Sequence, residues 1–112
     1  MFAVDLKNEP FGNATWGEGK PETDWNEGAE ALGTHILENN TDFTGLVFVE
    51  GINYSTDFRG QKDNPIDFGK EEWNERMVFS PHQYGPSVVQ LDMFFTDDFP
   101  ANMPEEWHSH WG

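Results

Sequence analysis

Leu46-Val47-Phe48-Val49-Glu50-Gly51 decides the fold: four apolar residues, β-branched or aromatic beyond the first, run without a polar interruption and stop at Glu-Gly. A strand with one face in water alternates, whereas an unbroken apolar run suits a strand covered on both faces, the situation in a parallel sheet. Working outward, Phe2-Ala3-Val4-Asp5-Leu6 reads as a short strand with Phe2, Val4 and Leu6 on one side, ended by Pro10, and Met77-Val78-Phe79-Ser80 reads as another, stopped by Pro81. From Phe11 to Glu22 three glycines and one proline leave only loop. A helix is then predicted over 24–38, ending near Asn39 or Asn40. Thr23 or Asp24 can cap it, Glu27 suits the positive end of its dipole, and Trp25, Ala29, Leu32 and Ile36 recur at helical spacing. Residues 52–75 are polar and loop-like, with Asn64-Pro65 breaking any helix before Lys70-Glu71-Glu72-Trp73, and a short helix can begin at Pro104.

Strand, helix, strand, irregular connection, strand is the order of a parallel α/β sheet, in which each crossover passes over one face. Three parallel strands with about one good helix leave faces and edges uncovered, so the expectation is a piece of a larger α/β unit, prone to self-association through open sheet edges. The 112 residues suffice for one domain at most. Five Trp and ten Phe exclude a fully disordered chain, while 21 acidic against 6 basic residues, net −15, argue against nucleic acid and anionic membrane surfaces as partners. Neutral or cationic ligands remain. The chain has no cysteine, hence neither disulfides nor thiolate metal sites. No apolar run approaches a membrane span, and Met1-Phe2-Ala3-Val4-Asp5-Leu6-Lys7 lacks the basic flank and apolar stretch of a signal peptide.

Polar residues follow each proposed strand: Asn8-Glu9-Pro10, then Glu50, then His82 and Tyr84. The C-terminal ends of parallel strands are where ligands bind, so these three endings point at one site. Asp5-Leu6-Lys7-Asn8-Glu9-Pro10, Ala14-Thr15-Trp16-Gly17, Thr23-Asp24-Trp25, Phe48-Val49-Glu50-Gly51, Val78-Phe79-Ser80-Pro81-His82-Gln83-Tyr84-Gly85-Pro86 and Phe99-Pro100-Ala101-Asn102-Met103-Pro104, in that order, resemble glycoside hydrolase family 5, specifically its cellulase (endo-β-1,4-glucanase) branch.

The resemblance implies a TIM (β/α)8 barrel with residues 2–7, 45–50 and 76–81 as its fourth to sixth strands. A whole barrel takes about 250 residues, so residues 1–112 are expected to be a central fragment of a catalytic domain, whose parent is secreted. The implied reaction is retaining hydrolysis of β-1,4-glucosidic bonds in cellulose or related β-glucan, with no cofactor and no metal, by two carboxylates about 5–5.5 Å apart. By position Glu9 resembles the acid/base, which calls for a raised pKa in a partly desolvated pocket. Asn8 resembles the residue that bonds the 2-hydroxyl of the cleaved sugar, and His82 and Tyr84 the pair that shapes that subsite. The family's nucleophile, a Glu ending the seventh strand, has no match here. Glu50 ends a strand as Glu9 does but corresponds to the Glu of Val-Glu-Gly, not to the nucleophile. An isolated fragment is therefore expected to be incompetent, leaving a non-catalytic remnant or weak carbohydrate binder as the alternative.

Two departures stand out. Family members often carry His directly after Asn-Glu-Pro, where this chain has Phe11; many cellulases carry tandem Trp with Gly-Gly after the fifth strand, where this chain has Tyr54-Ser55-Thr56-Asp57-Phe58. Trp16, in a Gly-rich loop near the site, either stacks on a sugar face or closes the loop. Trp25 reads as core, and Trp107 and Trp111, four apart, as one helix face. His108-Ser109-His110 invites a metal reading, but residues two apart point to different sides of a helix, and His35 reads as surface. Glu71-Glu72, Asp97-Asp98 and Glu105-Glu106 read as solvated faces. Asn13-Ala14-Thr15, Asn39-Asn40-Thr41 and Asn53-Tyr54-Ser55 are N-glycosylation sequons, meaningful only in a secreted eukaryotic parent.

Overall fold

The parallel sheet expected from the apolar runs is present in the computed structural model, which describes residues 2–111. Three strands, β1 (Ala3–Asp5), β2 (Leu46–Val49) and β3 (Met77–Phe79), lie in the order β1-β2-β3. Both pairings are parallel, Val4 against Val47 and Phe48 against Val78. The central strand carries the core: Val47 and Val49 are fully buried, while Leu46 and Phe48 are half-buried. Each buried valine contributes about 1.5–3 kcal/mol by leaving water. Arg76 ties the sheet's entrance together, its Nε and Nη2 donating to the carbonyls of Gly45 and Phe43, each at 2.8 Å.

Helix α1 (Trp25–Asn39) crosses between β1 and β2 within a residue of its predicted limits. Its buried face differs from the expected one. Asn26, Ala29, Gly33 and Leu37 are buried, and Leu32 is 44% exposed. The cause is Phe68, whose fully buried ring lies against Gly33 so closely that a Cβ there would collide with it. Glycine counts as nothing in an apolar periodicity, yet here its missing side chain is what the helix presents to the core.

Asp24 precedes α1 without capping it. It turns back to the Gly-rich loop, where it accepts from Thr15 Oγ1 at 2.5 Å and from the backbone N–H groups of Glu18 and Lys20 at 3.1 and 2.8 Å. These donors, Thr15 foremost, hold its carboxyl below the ordinary range. The remaining core is Trp16, Ala29, Leu37, Phe58, Ile66 and Phe68 around the two valines.

Three expectations need correction. Phe2, expected to share one side of the strand with Val4 and Leu6, is 83% exposed while those two pack on the core; it lies just ahead of β1, an edge strand of the three. Residues 52–75 are not plain loop: they hold a tight turn at Ile52–Ser55, a 3-10 helix at Arg59–Lys62 and a helical turn at Glu71–Asn74. Third, the C-terminal helix begins one residue earlier than Pro104, running Met103–Trp111. On it Trp107, 41% exposed, stacks on Trp111, whose Nε1 donates to the Thr56 carbonyl at 3.0 Å and which packs against the core. No helix among the described residues is long and apolar enough to cross a membrane.

Candidate active site

The chain leaves the C-terminal ends of all three strands toward one point, and there the polar endings meet. Glu9, past the end of β1, adopts the left-handed region at φ 46°. That conformation is uncommon for a residue with a Cβ and costs about 1 kcal/mol or more. It is held by Glu50, directly after β2, whose Oε2 accepts the Glu9 backbone N–H at 2.6 Å.

The Glu9 carboxyl is anchored through one oxygen. Its Oε1 lies 2.9 Å from His82 Nδ1 and accepts the Tyr84 hydroxyl at 2.8 Å. Among the described residues its Oε2 has no hydrogen-bond partner. His82 itself is fixed by its backbone N–H, which donates to the Ser55 carbonyl at 2.9 Å, and its Nε2 lies 3.3 Å from Glu50 Oε1. Asn8 precedes Glu9 with its side chain exposed. Thus Glu9, His82 and Tyr84, named from the sequence, meet directly, and Asn8 stands beside them as the chain neighbour of Glu9.

The expectation of a raised Glu9 pKa is not met within these residues. Hydrogen bonds from His82 and then Tyr84 stabilise the ionised form and hold the carboxyl below its ordinary value, outweighing a small opposing effect of burial. The same contact raises the Tyr84 hydroxyl.

Trp16 is a second correction. It is only 7% exposed, packs beside Phe58 and donates its Nε1–H to the Asn64 carbonyl at 2.9 Å. No ring face is open to a sugar, so of the two readings of this residue the loop-closing one fits. The aromatic surface at the site is elsewhere, and the sequence did not pair its members. Phe11 and Tyr54 stack with centroids 5.2 Å apart and planes 12° from parallel, and both are at least half exposed. Their backbones are tied as well, Tyr54 N–H donating to the Pro10 carbonyl at 3.0 Å. Asn53, Tyr54 and Ser55 all have positive φ, which lifts Tyr54 out of the turn. Ser55 is buried, its hydroxyl donating to the Ser80 carbonyl at 2.6 Å and accepting the Gly51 N–H at 2.9 Å, so the turn is fastened to the sheet.

Glu9, Tyr54, Tyr84, Val88 and Leu91 line a cavity of about 470 Å³. A larger groove of about 760 Å³ runs between Phe58, Phe79, Pro81 and Trp111. It has no carboxylate on its walls and does not include the converging residues. No three His, Asp or Glu side chains among the described residues are grouped as metal ligands; His110 Nδ1 instead lies 2.8 Å from the Glu106 carbonyl in its own helix.

This geometry can be set beside known proteins. The cellulase profile, glycosyl hydrolase family 5, matches residues 1–112. An endoglucanase of Paenibacillus polymyxa is 33% identical over the whole chain, which covers 30% of that protein. The major extracellular endoglucanase of Xanthomonas campestris pv. campestris is 35% identical, with 24% of its length covered. The solved catalytic domain of that Xanthomonas enzyme superposes on 98% of this chain with a TM-score of 0.86 at 33% identity, the chain covering 34% of it. An endocellulase from Pyrococcus horikoshii, solved as a complex with cellotetraose, superposes on 88% with a TM-score of 0.75 at 34% identity, with 29% of it covered. The chain thus spans about a quarter to a third of the length of these relatives, and its sheet is part of a (β/α)8 barrel. With the profile matched from end to end on a parallel sheet of the same fold, the chain belongs to glycosyl hydrolase family 5, the cellulase family.

Proposed function

We propose that residues 1–112 are a fragment of a catalytic domain and carry the acid/base half of a retaining β-1,4-glucan hydrolase. The observation that supports this most is the double anchoring of Glu9 Oε1 by His82 and Tyr84, which leaves Oε2 as the oxygen that works. In this reading Oε2 gives its proton to the leaving glycosidic oxygen and later takes one from the incoming water. Asn8 bonds the 2-hydroxyl of the sugar being cleaved. The Phe11–Tyr54 pair packs against the C–H face of a neighbouring glucose, doing with two residues what tandem Trp does in many cellulases.

The nucleophile must come from outside these residues. Glu50 does not serve: it is 1% exposed, with its two oxygens turned to the Glu9 amide and His82. A second carboxylate about 5 Å from Glu9 would also raise the Glu9 pKa by like-charge repulsion, supplying the shift that acid catalysis calls for. Without it Glu9 is held ionised, and this favours a second reading for the 112 residues alone: they bind β-glucan weakly and do not cleave it. By analogy with the extracellular Xanthomonas enzyme, the complete protein works outside the cell on polysaccharide.

The test is reducing-end release from soluble β-1,4-glucan by the 112-residue chain and by the longest open reading frame that contains it. Release by the longer protein, abolished by Glu9→Gln, is expected. A folded longer protein that leaves β-glucans intact would overturn the hydrolase reading, and release by the short chain would overturn the second one. Phe11→Ala should weaken cellotetraose binding roughly tenfold, the scale of one aromatic stacking contact.

A further inference from the structure

Glu50 is a buried carboxyl for which the proposed reaction has no use, and both its oxygens face groups of the candidate site. It is 1% exposed, accepts the Glu9 N–H at 2.6 Å through Oε2, and faces His82 Nε2 at 3.3 Å through Oε1. Its own carbonyl accepts Trp25 Nε1–H at 2.6 Å, so α1 locks its backbone. His82 therefore lies between two carboxyls, Glu9 on Nδ1 and Glu50 on Nε2. The Nδ1 contact is a hydrogen bond to Glu9, whereas the Nε2 contact is a close approach of the Glu50 carboxyl to the other edge of the ring.

From this geometry we infer that Glu50 is a positioning residue for the acid/base: its Oε1 flanks the His82 ring whose Nδ1 meets Glu9 Oε1, and its Oε2 holds the Glu9 backbone in its left-handed conformation. The inference rests on Glu9 being the acid/base. One carboxylate thus sets both the backbone and the side-chain partner of another. Glu9 lines the cavity with Oε1 fixed and Oε2 free of hydrogen-bond partners among the described residues.

The charged groups around Glu50 are Asp5 from β1, Glu9 and His82. Burial pushes the Glu50 carboxyl up and Asp5 adds to that, while the Glu9 amide and His82 pull it back. The Glu50 carboxyl and the His82 ring are close enough for a change at one to be read at the other, which makes the inference testable without turnover.

The experiment is 15N NMR of histidine-labelled 112-residue chain at neutral pH, with Glu50→Gln beside it. Expected in Glu50→Gln is a displacement of the His82 ring 15N resonances, with those of His35, His108 and His110 unmoved, because only His82 has Glu50 beside its ring. An unchanged His82 pattern in a folded variant overturns the inference, and Glu50→Asp, which keeps the carboxyl but withdraws it, takes the place of Glu50→Gln should that variant not fold. In the longest open reading frame, Glu50→Gln should lower kcat roughly tenfold with KM within about twofold, because misaimed catalytic groups cost rate more than binding. A parallel loss in KM alone would mean a sugar contact instead. If the longer protein lacks hydrolase activity while the NMR pattern is as expected, the function reading fails and the positioning of Glu9 by Glu50 stands.

Discussion

Replacing Trp16 by Phe separates the two readings of that residue by a free-energy measurement. The indole is 7% exposed and its Nε1–H donates to the Asn64 carbonyl at 2.9 Å. Phenylalanine keeps most of the ring against Phe58 but leaves that carbonyl without its donor, at a cost of about 1–3 kcal/mol. The smaller ring also opens a void, bounded by the ~3–5 kcal/mol that full truncation to Ala costs. A net loss of about 2–4 kcal/mol follows, a large part of the ~5–15 kcal/mol a domain possesses. At about 4 °C per kcal/mol the midpoint should fall by roughly 8–16 °C. Urea unfolding followed by tryptophan fluorescence, with cellotetraose binding to the folded variant, checks it. Unchanged stability together with lost sugar binding would refute the buried placement and restore Trp16 as a platform.

Three further outcomes are expected. Tyr84→Phe removes one of two donors to Glu9 Oε1, so the Glu9 carboxyl, now held low, should titrate higher in a 13C NMR titration; no movement would show the hydroxyl to be turned elsewhere. Gly33→Ala gains up to about 1 kcal/mol of helix propensity but drives a Cβ into the Phe68 ring, and overpacking of about 1–3 kcal/mol should lower the thermal midpoint. Asp24 has a folded pKa below the ordinary 3.8, so its stabilisation is present above that pH and lost as pH falls through the lower folded value. Asp24→Asn should therefore flatten the acid limb of a stability–pH profile, and an identical limb in both proteins would count against the loop network around Asp24.

The strands were legible because unbroken apolar runs leave few alternatives, and α1 because its caps and period agreed. Its buried face was not, since the residue that matters is a glycine whose partner, Phe68, comes from 35 positions later in a stretch without periodicity. At the candidate site, motif order singled out Asn8, Glu9, His82 and Tyr84, and strand ends explain why the last three meet. Two features lay beyond reach. The stacking of Phe11 on Tyr54 depends on a turn with three consecutive non-glycine residues at positive φ, which propensity argues against. Glu50 was visible as a strand ending, but whether a carboxyl faces sugar or supports a neighbour is decided by which way the backbone beside it bends.

The left-handed backbone at Glu9 has a consequence for laboratory evolution. Glycine is the residue best suited to φ 46°, and Asn or Asp come next, so random mutagenesis screened only for thermal resistance should enrich Glu9→Gly. The backbone would gain about 1 kcal/mol, set against the hydrogen bonds from His82 and Tyr84 that go with the carboxyl, so only variants in which those two side chains find other partners would come through. A stabilised library of this barrel segment should thus be read at codon 9 first, because heat selects there against the very group the site is built around.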